Sequence, residues 1–378
     1  MRVTYIQTPK NPKELLQEIG VDSGAIKILS SKIQHYCIKI DALAVGGANI
    51  LKQDALSIGA DLAVPRGTVI ASIQKVDCIL IATKKHLEIL SKKELSQPFG
   101  LKEVARELAK IVAIEKEKDV KVMGVINAND DSFFSQSRYV GQNAIDKVFN
   151  MVEDGANIID IGGVSSRPNA LKVSVEDELQ RVKPLIDSLY ESKVYEKVSL
   201  SIDSYEPQVI SYALEKGFHI VNDITGLIND DVVKLCASYN ATAVIMHMKG
   251  TPQTMQDNPS YSDVISDVYD FLQEATLKAE SMGVKDIVLD VGIGFGKTLE
   301  HNIALIKHLQ HFKTLQKPLL IGASRKSMID KLSPSSVENR LAGTLAIHLQ
   351  AVQNGASILR VHDVKEHIQA LTIQKALL

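Results

Sequence analysis

The sequence predicts an α/β protein, a (β/α)8 TIM barrel preceded by a smaller α/β N-terminal domain, and three observations carry that reading. From residue 120 onward, eight short apolar runs each end in polar or glycine residues, and amphipathic stretches separate them. The runs are near-continuously apolar rather than alternating, as in parallel strands covered by helices. The eight units fill residues 119–378, close to the length of about 250 residues typical of this barrel. A doubly wound sheet is the alternative, but it seldom uses eight such regular units.

The predicted strands are VKVMGVIN (120–127), NIIDIGG (157–163), VSLSID (198–203), HIVNDI (219–224), TAVIMHM (242–248), DIVLDVG (286–292), PLLIGAS (318–324) and SILRVH (357–362). Stretches between them, such as EPQVISYALEKG (206–217), read as helices ending in glycine. Upstream, HYCIKIDALAV (35–45) and VDCILIAT (76–83) read as strands, and LKEVARELAKIVAI (101–114) as a helix. The charged stretch EKEKD (115–119) follows that helix and marks the divide between domains 1–118 and 119–378. The first carries a net charge of +5 and the second −7.

Composition narrows the function classes. Apolar residues make up 45% of the 378, enough for a sizeable core, so disorder is excluded as the main state. A net charge of −2, no Trp and 5% aromatics argue against a nucleic-acid binder. No apolar run approaches the roughly 20 residues of a membrane span. The N-terminus has no signal-peptide segment. Cys37, Cys78 and Cys236 are too few and scattered for a disulfide framework, which points to a reducing, cytoplasmic compartment. Each cysteine has apolar flanks and is read as core packing.

Asn127, Asp203, Asn222, Asp223, His247, Asp290, Ser324, Arg360 and His362 lie at or near the C-terminal ends of the predicted strands. One such Asp is ordinarily a turn or cap residue. Such residues on nearly every strand converge on the mouth where this barrel builds active sites. Asp203, Asn222 and Asp290, with Lys326, offer the paired donors and acceptors that a flat amino-pyrimidinone edge needs. Arg167, Arg360, His362 and Asn127 suit an anionic leaving group: Arg for bidentate phosphate contacts, Asn127 for a Mg²⁺ that rides on phosphates. GIGFGKT (292–298) resembles a phosphate-binding loop, but has three residues between Gly292 and Gly296 where that motif needs four. It reads instead as a glycine-rich loop that lets backbone approach a flat ligand.

In this order, the strand ends resemble the dihydropteroate synthase family. The blocks are MGVINANDDSFF (123–134), IIDIGGVSSRP (158–168), SIDSY (201–205), VNDITG (221–226), MHMKGTPQTMQ (246–256), LDVGIGFGK (289–297), GASRKSMI (322–329) and LRVHDV (359–364). They cover about residues 120–370 and are highly specific as an ordered set. The resemblance implies a (β/α)8 barrel that joins p-aminobenzoate to 6-hydroxymethyl-7,8-dihydropterin diphosphate, giving 7,8-dihydropteroate and diphosphate in folate synthesis. It implies that Asp203, Asn222, Met246, Asp290 and Lys326 hold the pterin. Asn127 with Mg²⁺, Arg167, Arg360 and His362 would take the diphosphate. Ser166, Arg167, Pro168, Phe295, Lys326 and Ser327 would receive p-aminobenzoate. Asp203, Lys326, Arg360 and His362 would carry catalysis, and the enzyme would be a homodimer. Sulfonamides would compete with p-aminobenzoate.

The chain departs from the family at three places. Asn129 and Asp130 stand where Thr-Pro is usual, Val164 and Ser166 where Glu and Thr are common, and Asp290-Val291-Gly292-Ile293 where Asp-Pro-Gly-Phe is usual. These touch the p-aminobenzoate loops and leave the pterin end intact. A methyltetrahydrofolate–corrinoid methyltransferase shares the pterin end but needs no diphosphate site, and no DxHxxG cobalamin signature is present. A non-catalytic pterin-binding protein would leave the anion residues unexplained. Residues 1–118 suggest a packing, oligomerisation or partner role. They lack the signature of the pyrophosphokinase fused to some family members, and His35, Asp61 and His86 form no catalytic spacing.

Overall fold

In the computed structural model, residues 11–114, 119–128, 138–164 and 173–377 are described, of residues 138–143 the backbone only. The chain divides into two compact units at Glu115/Lys116.

The first unit holds a three-stranded sheet of β1 (His35–Ala44), β2 (Asp61–Ala63) and β3 (Lys75–Thr83), in the order β1-β3-β2. Both pairings are antiparallel. Strand β3 alternates between exposed and buried residues, so Val76, Cys78, Leu80 and Ala82 face a core. Leu51, Leu87, Leu90, Leu101 and Leu108 from the helices complete it. The period-2 alternation corrects one expectation. Cys37 is exposed, because Tyr36 and Ile38 take the inward face of β1. Cys78 and Cys236 are buried, and burial pushes their thiols up to about 11 and 12. His86 completes a capping box with Thr83: Thr83 Oγ1 accepts from the His86 N–H, and His86 Nδ1 accepts from the Thr83 N–H.

The second unit is the closed parallel barrel. Its strands are β4 (Lys121–Asn127), β5 (Ile158–Gly162), β6 (Ser199–Asp203), β7 (Ile220–Asp223), β8 (Thr242–Met246), β9 (Ile287–Asp290), β10 (Leu319–Ile321) and β11 (Ile358–Val361). They follow one another around the barrel, and β11 closes on β4. All eight predicted strands form, each within its predicted limits.

Strand parity then decides what faces inward. Met123, Ile158, Ile220, Val244, Val288, Leu320 and Ile358 form one buried apolar layer inside the barrel. Side chains alternate along a strand, so residues two further on share that face. Those residues are Val125, Asp160, Asn222, Met246, Asp290, Gly322 and Arg360. The odd-parity residues, such as Ile159, Ile161, Val221 and Leu289, pack outward with the helices. The apolar layer is therefore a floor, and a polar layer sits on it.

Candidate active site

The polar layer is knit together by register. Asn127 pairs with Gly162, Gly162 with Asp203, and Asp203 with Asn222 on successive strands. Across the barrel, Met246 pairs with Asp290. Arg360 on β11 donates from Nε to Asp160 and from Nη2 to Asp203, each at 2.6 Å. Asp160 also accepts from Ser201 Oγ at 2.6 Å and Asn222 Nδ2 at 3.1 Å. Gly322 lies beside Arg360, whose Cβ is 3.6 Å from where a Cβ at 322 would stand, an ordinary packing distance.

This layer is acidic and poorly solvated. Burial raises the Asp203 carboxyl; Arg360 opposes the shift, while Asp160, Glu178 and Asp223 reinforce it. Burial also raises Asp290, against the Gly292 N–H, which donates to Oδ1 at 2.8 Å, and against Lys326. Lys326 Nζ donates to the Ile293 carbonyl and lies 4.3 Å from the Phe295 ring centroid. Burial lowers its pKa to about 8, partly offset by Asp290. Asp203, Asp290, Lys326 and Arg360 thus act on one another as a single electrostatic cluster. Met246 is buried beside it, and Phe295 is half-buried at its rim.

His362 stands at the mouth, its Nδ1 2.9 Å from Ser324 Oγ. Crowding by the surrounding protein, then the Arg360 charge, lowers its pKa to about 4, so the ring is neutral at pH 7. Ser327 is exposed next to Lys326. Ser166, Arg167, Pro168, Asn129 and Asp130 lie outside the described residues.

Two strand-end residues do local work instead of facing the shared pocket. Asp223 accepts from Thr225 N and Oγ1, each at 2.7 Å, and from Leu227 N at 3.2 Å, which ties down the turn after β7. His247 Nδ1 lies 2.9 Å from Lys297 Nζ. Lys297 is itself buried, and also donates to the carbonyls of His247 at 3.2 Å and Phe295 at 3.0 Å. These three contacts lock the loop after β8 to the loop after β9. This removes Lys297 from any phosphate-binding role. Burial, with Lys297 adding, takes His247 down to about 3.

Two buried acids escape the sequence reading. Asp160 is legible only through parity, two residues after the floor residue Ile158. Glu178 lies on the helix Val175–Glu191, and burial raises its pKa to about 7 despite a hydrogen bond with Ser204. Nothing in its local sequence, VEDELQ, separates it from a helix N-terminal acid.

A Mg²⁺ is implied by the family resemblance. Among the described residues, no group of three or more His, Cys, Asp or Glu is placed to hold a metal ion. Asn127 supplies one hard oxygen at the end of β4. That donor set fits a cation that keeps its waters and is carried by substrate phosphates, not a caged resident ion.

The pterin-binding enzyme profile matches residues 123–362, which spans every strand of the barrel from Met123 onward. The chain belongs to the dihydropteroate synthase family. It is 39% identical over 369 residues to the bifunctional dihydropteroate synthase/dihydropteroate reductase of Helicobacter pylori, a match covering 98% of this chain and 97% of that protein. The dihydropteroate synthase of Yersinia pestis, solved with a sulfonamide drug complex, superposes with a TM-score of 0.64 at 36% identity. That match covers 68% of this chain and 94% of the other. The Thermus thermophilus enzyme in complex with 4-aminobenzoate gives 0.61 at 38% identity, over 69% and 95%. The family's solved structures thus match the barrel's share of the chain, while the H. pylori relative also spans the N-terminal unit.

Proposed function

We infer that this dihydropteroate synthase family member is a transferase that condenses 6-hydroxymethyl-7,8-dihydropterin diphosphate with p-aminobenzoate, releasing diphosphate. The observation that carries the assignment of residues is the polar layer on the apolar floor. Asp203, Asn222 and Asp290 present a mixed donor and acceptor wall, with Met246 for the pterin face and Lys326 for a ring carbonyl or nitrogen. Asp160 accepts only, so the Asn222 Nδ2 that it holds leaves Oδ1 to accept from a ligand N–H.

Bond cleavage leaves positive charge on the pterin methylene carbon and negative charge on diphosphate. Asp203 stabilises the first through the conjugated ring. Arg360 and His362, with Arg167, stabilise the second, the residues acting where charge develops. When bound, Mg²⁺ supplies further neutralisation of the phosphate oxygens, with Asn127 as its protein ligand. The arylamine is neutral and needs orientation more than a base. Phe295, Ser327 and the Ser166–Pro168 segment supply it, and a sulfonamide, which is also an arylamine, competes for the same slot. The test is turnover of the purified chain with both substrates, read as 7,8-dihydropteroate. Tight pterin binding without turnover would make it a binding protein.

A second activity is favoured by one observation: the match to the bifunctional H. pylori relative runs through the N-terminal unit. That unit has its own sheet and core. We propose that the chain also reduces dihydropteroate, taking two electrons and a proton as hydride from a reduced nicotinamide or flavin and a second proton from solvent. Oxidation of that donor on adding 7,8-dihydropteroate tests it, and no oxidation with either donor removes it.

A further inference from the structure

Two fully buried histidines stand behind the loop that carries Ser324 and Lys326. His348, on the helix Leu341–Gln353, is 0% exposed, and His367, on the helix Val364–Leu377, is 1% exposed. Their proton positions follow from the network. The Ala323 backbone N–H donates to His348 Nε2 at 3.0 Å. A backbone N–H only donates, so Nε2 is bare and the neutral ring carries its proton on Nδ1. That Nδ1–H meets His367 Nε2 at 2.8 Å, which makes Nε2 the acceptor. His367 then holds its proton on Nδ1, 2.5 Å from the Asp363 carbonyl. The relay runs from Ala323 through both rings to Asp363, with each ring nitrogen used once.

Both ends of the relay are attached to the site. Ala323 directly precedes Ser324, Arg325 and Lys326, and Asp363 directly follows His362. The Asp363 carboxylate takes Arg325 in a bidentate pair at 3.0 and 2.6 Å. Arg325 has a φ of +56°, a conformation that a non-glycine residue holds only when its surroundings fix it. Thr344 Oγ1 accepts from Arg325 N at 3.0 Å, and Arg340 donates to the Arg325 carbonyl at 3.1 Å. The segment 323–326 is thus held at its start by His348 and in its middle by Asp363, which His367 also holds.

We propose that His348 and His367 are positioning residues that set Ser324 and, through it, His362 for the diphosphate half of the site, without touching substrate. The proposal rests on the assignment of His362 to that half. A proton added to either ring would set N–H against N–H, at Ala323 or between the rings, and break the relay. The charged and titratable groups facing His348 are His367, Lys326 and His362. Those facing His367 are His348, Asp363 and Glu366.

The experiment compares His348→Leu, His348→Gln and Asp363→Asn in the full chain. It reads kcat, the KM for each substrate, and calorimetric binding of unphosphorylated 6-hydroxymethyl pterin. Leu removes both hydrogen bonds of the ring, Gln keeps an acceptor and a donor, and Asp363→Asn keeps the carbonyl but loosens Arg325. His348→Leu and Asp363→Asn should each lower kcat/KM by about 10–100-fold, the scale of misplacing a positioned group by about 1 Å. Gln should recover most of the loss, and unphosphorylated pterin should bind as before. If His348→Leu does not fold, His348→Asn, whose shorter side chain can replace Nδ1 but cannot reach the Ala323 N–H, carries the same expectation. An unchanged kcat/KM in His348→Leu, or an equal loss in binding the unphosphorylated pterin, would overturn the proposal. Failure of the wild-type chain to turn over would instead count against the synthase assignment itself.

Discussion

Arg360 Nε donates to Asp160 Oδ2 at 2.6 Å, reaching from β11 over β4 to β5. The same guanidinium holds Asp203 through Nη2, so one cation ties two carboxylates and, through Asp160, the Asn222 amide. The Asp160 side chain is fully buried and that of Arg360 is not, so the pair sits where breaking it leaves a charge out of water. Asp160→Asn keeps the shape but gives Arg360 an uncharged neighbour and frees Asn222 to turn over. Arg360 keeps its pair with Asp203, so urea denaturation should show a loss of about 1–3 kcal/mol, the cost of leaving buried hydrogen-bonding groups unsatisfied. Pterin affinity should fall with it. An Asn variant as stable as the parent would show that the pair is not holding the layer.

Asp203 differs from Asp160 in facing the pocket. If its charge stabilises the cation formed on bond cleavage, Asp203→Asn should lower kcat more than it weakens p-aminobenzoate binding. The expected loss is about 2.7–4 kcal/mol in transition-state stabilisation, as at comparable electrostatic sites. Steady-state kinetics with each substrate varied in turn measures it. Unchanged kcat would remove Asp203 from the chemistry.

Why the barrel is legible in the sequence and parts of its site are not follows from what each feature depends on. The eight strands are locally encoded: a covered parallel strand must be apolar on both faces, so its run stands out in any window. Asp203, Asn222, Asp290 and Arg360 are legible because the strand ends place them together. The bonding between them is not, because Arg360 and Asp160 are 200 positions apart and only closure of β11 on β4 joins them. Lys297 is a case where spacing decides: its GFGKT setting resembles a phosphate loop, the three-residue gap argues against one, and the structure turns the side chain inward, onto His247. Cys37 defeats the composition argument because flanking apolar residues look alike whether a strand is covered on one face or two.

Lys326 gives a pH dependence. Burial lowers its pKa to about 8 from an ordinary value of 10.5. Binding that uses the ammonium should therefore weaken as pH rises through about 8. The sign for stability is opposite. Between about 8 and 10.5 the unfolded chain binds a proton that the folded chain does not, so this group makes stability rise with pH in that window. The KM for the pterin diphosphate should climb above pH 8, and Lys326→Arg, which cannot lose its proton there, should flatten the climb. A climb of equal size in the Arg variant would assign it to another group.

The loop after β9 separates a glycine needed for the fold from one needed for the site. Gly292 (φ +69°) and Gly294 (φ +84°) both adopt the left-handed region, so alanine is strained at either. What a new Cβ would meet differs. At 292 it would stand 1.9 Å from the His247 carbonyl oxygen, the backbone atom that also accepts from Lys297. Backbone cannot yield there without separating the two loops and stranding the buried Lys297 side chain. At 294 the Cβ would lie 3.2 Å from Lys326 Cδ, in a flexible side chain that can move aside. Gly292→Ala should therefore cost several kcal/mol, at least the ~1–3 kcal/mol of backbone strain plus the lost contacts. Gly294→Ala should cost the strain alone, yet push Lys326 off Phe295 and the Ile293 carbonyl. Thermal melts should rank Gly292→Ala well below Gly294→Ala. Among folded protein, Gly294→Ala should still show a raised KM for the pterin diphosphate. Equal melting temperatures would mean that the β8–β9 contact is not fixed by Gly292, and an unchanged KM would mean that Lys326 does not depend on Gly294 for its place.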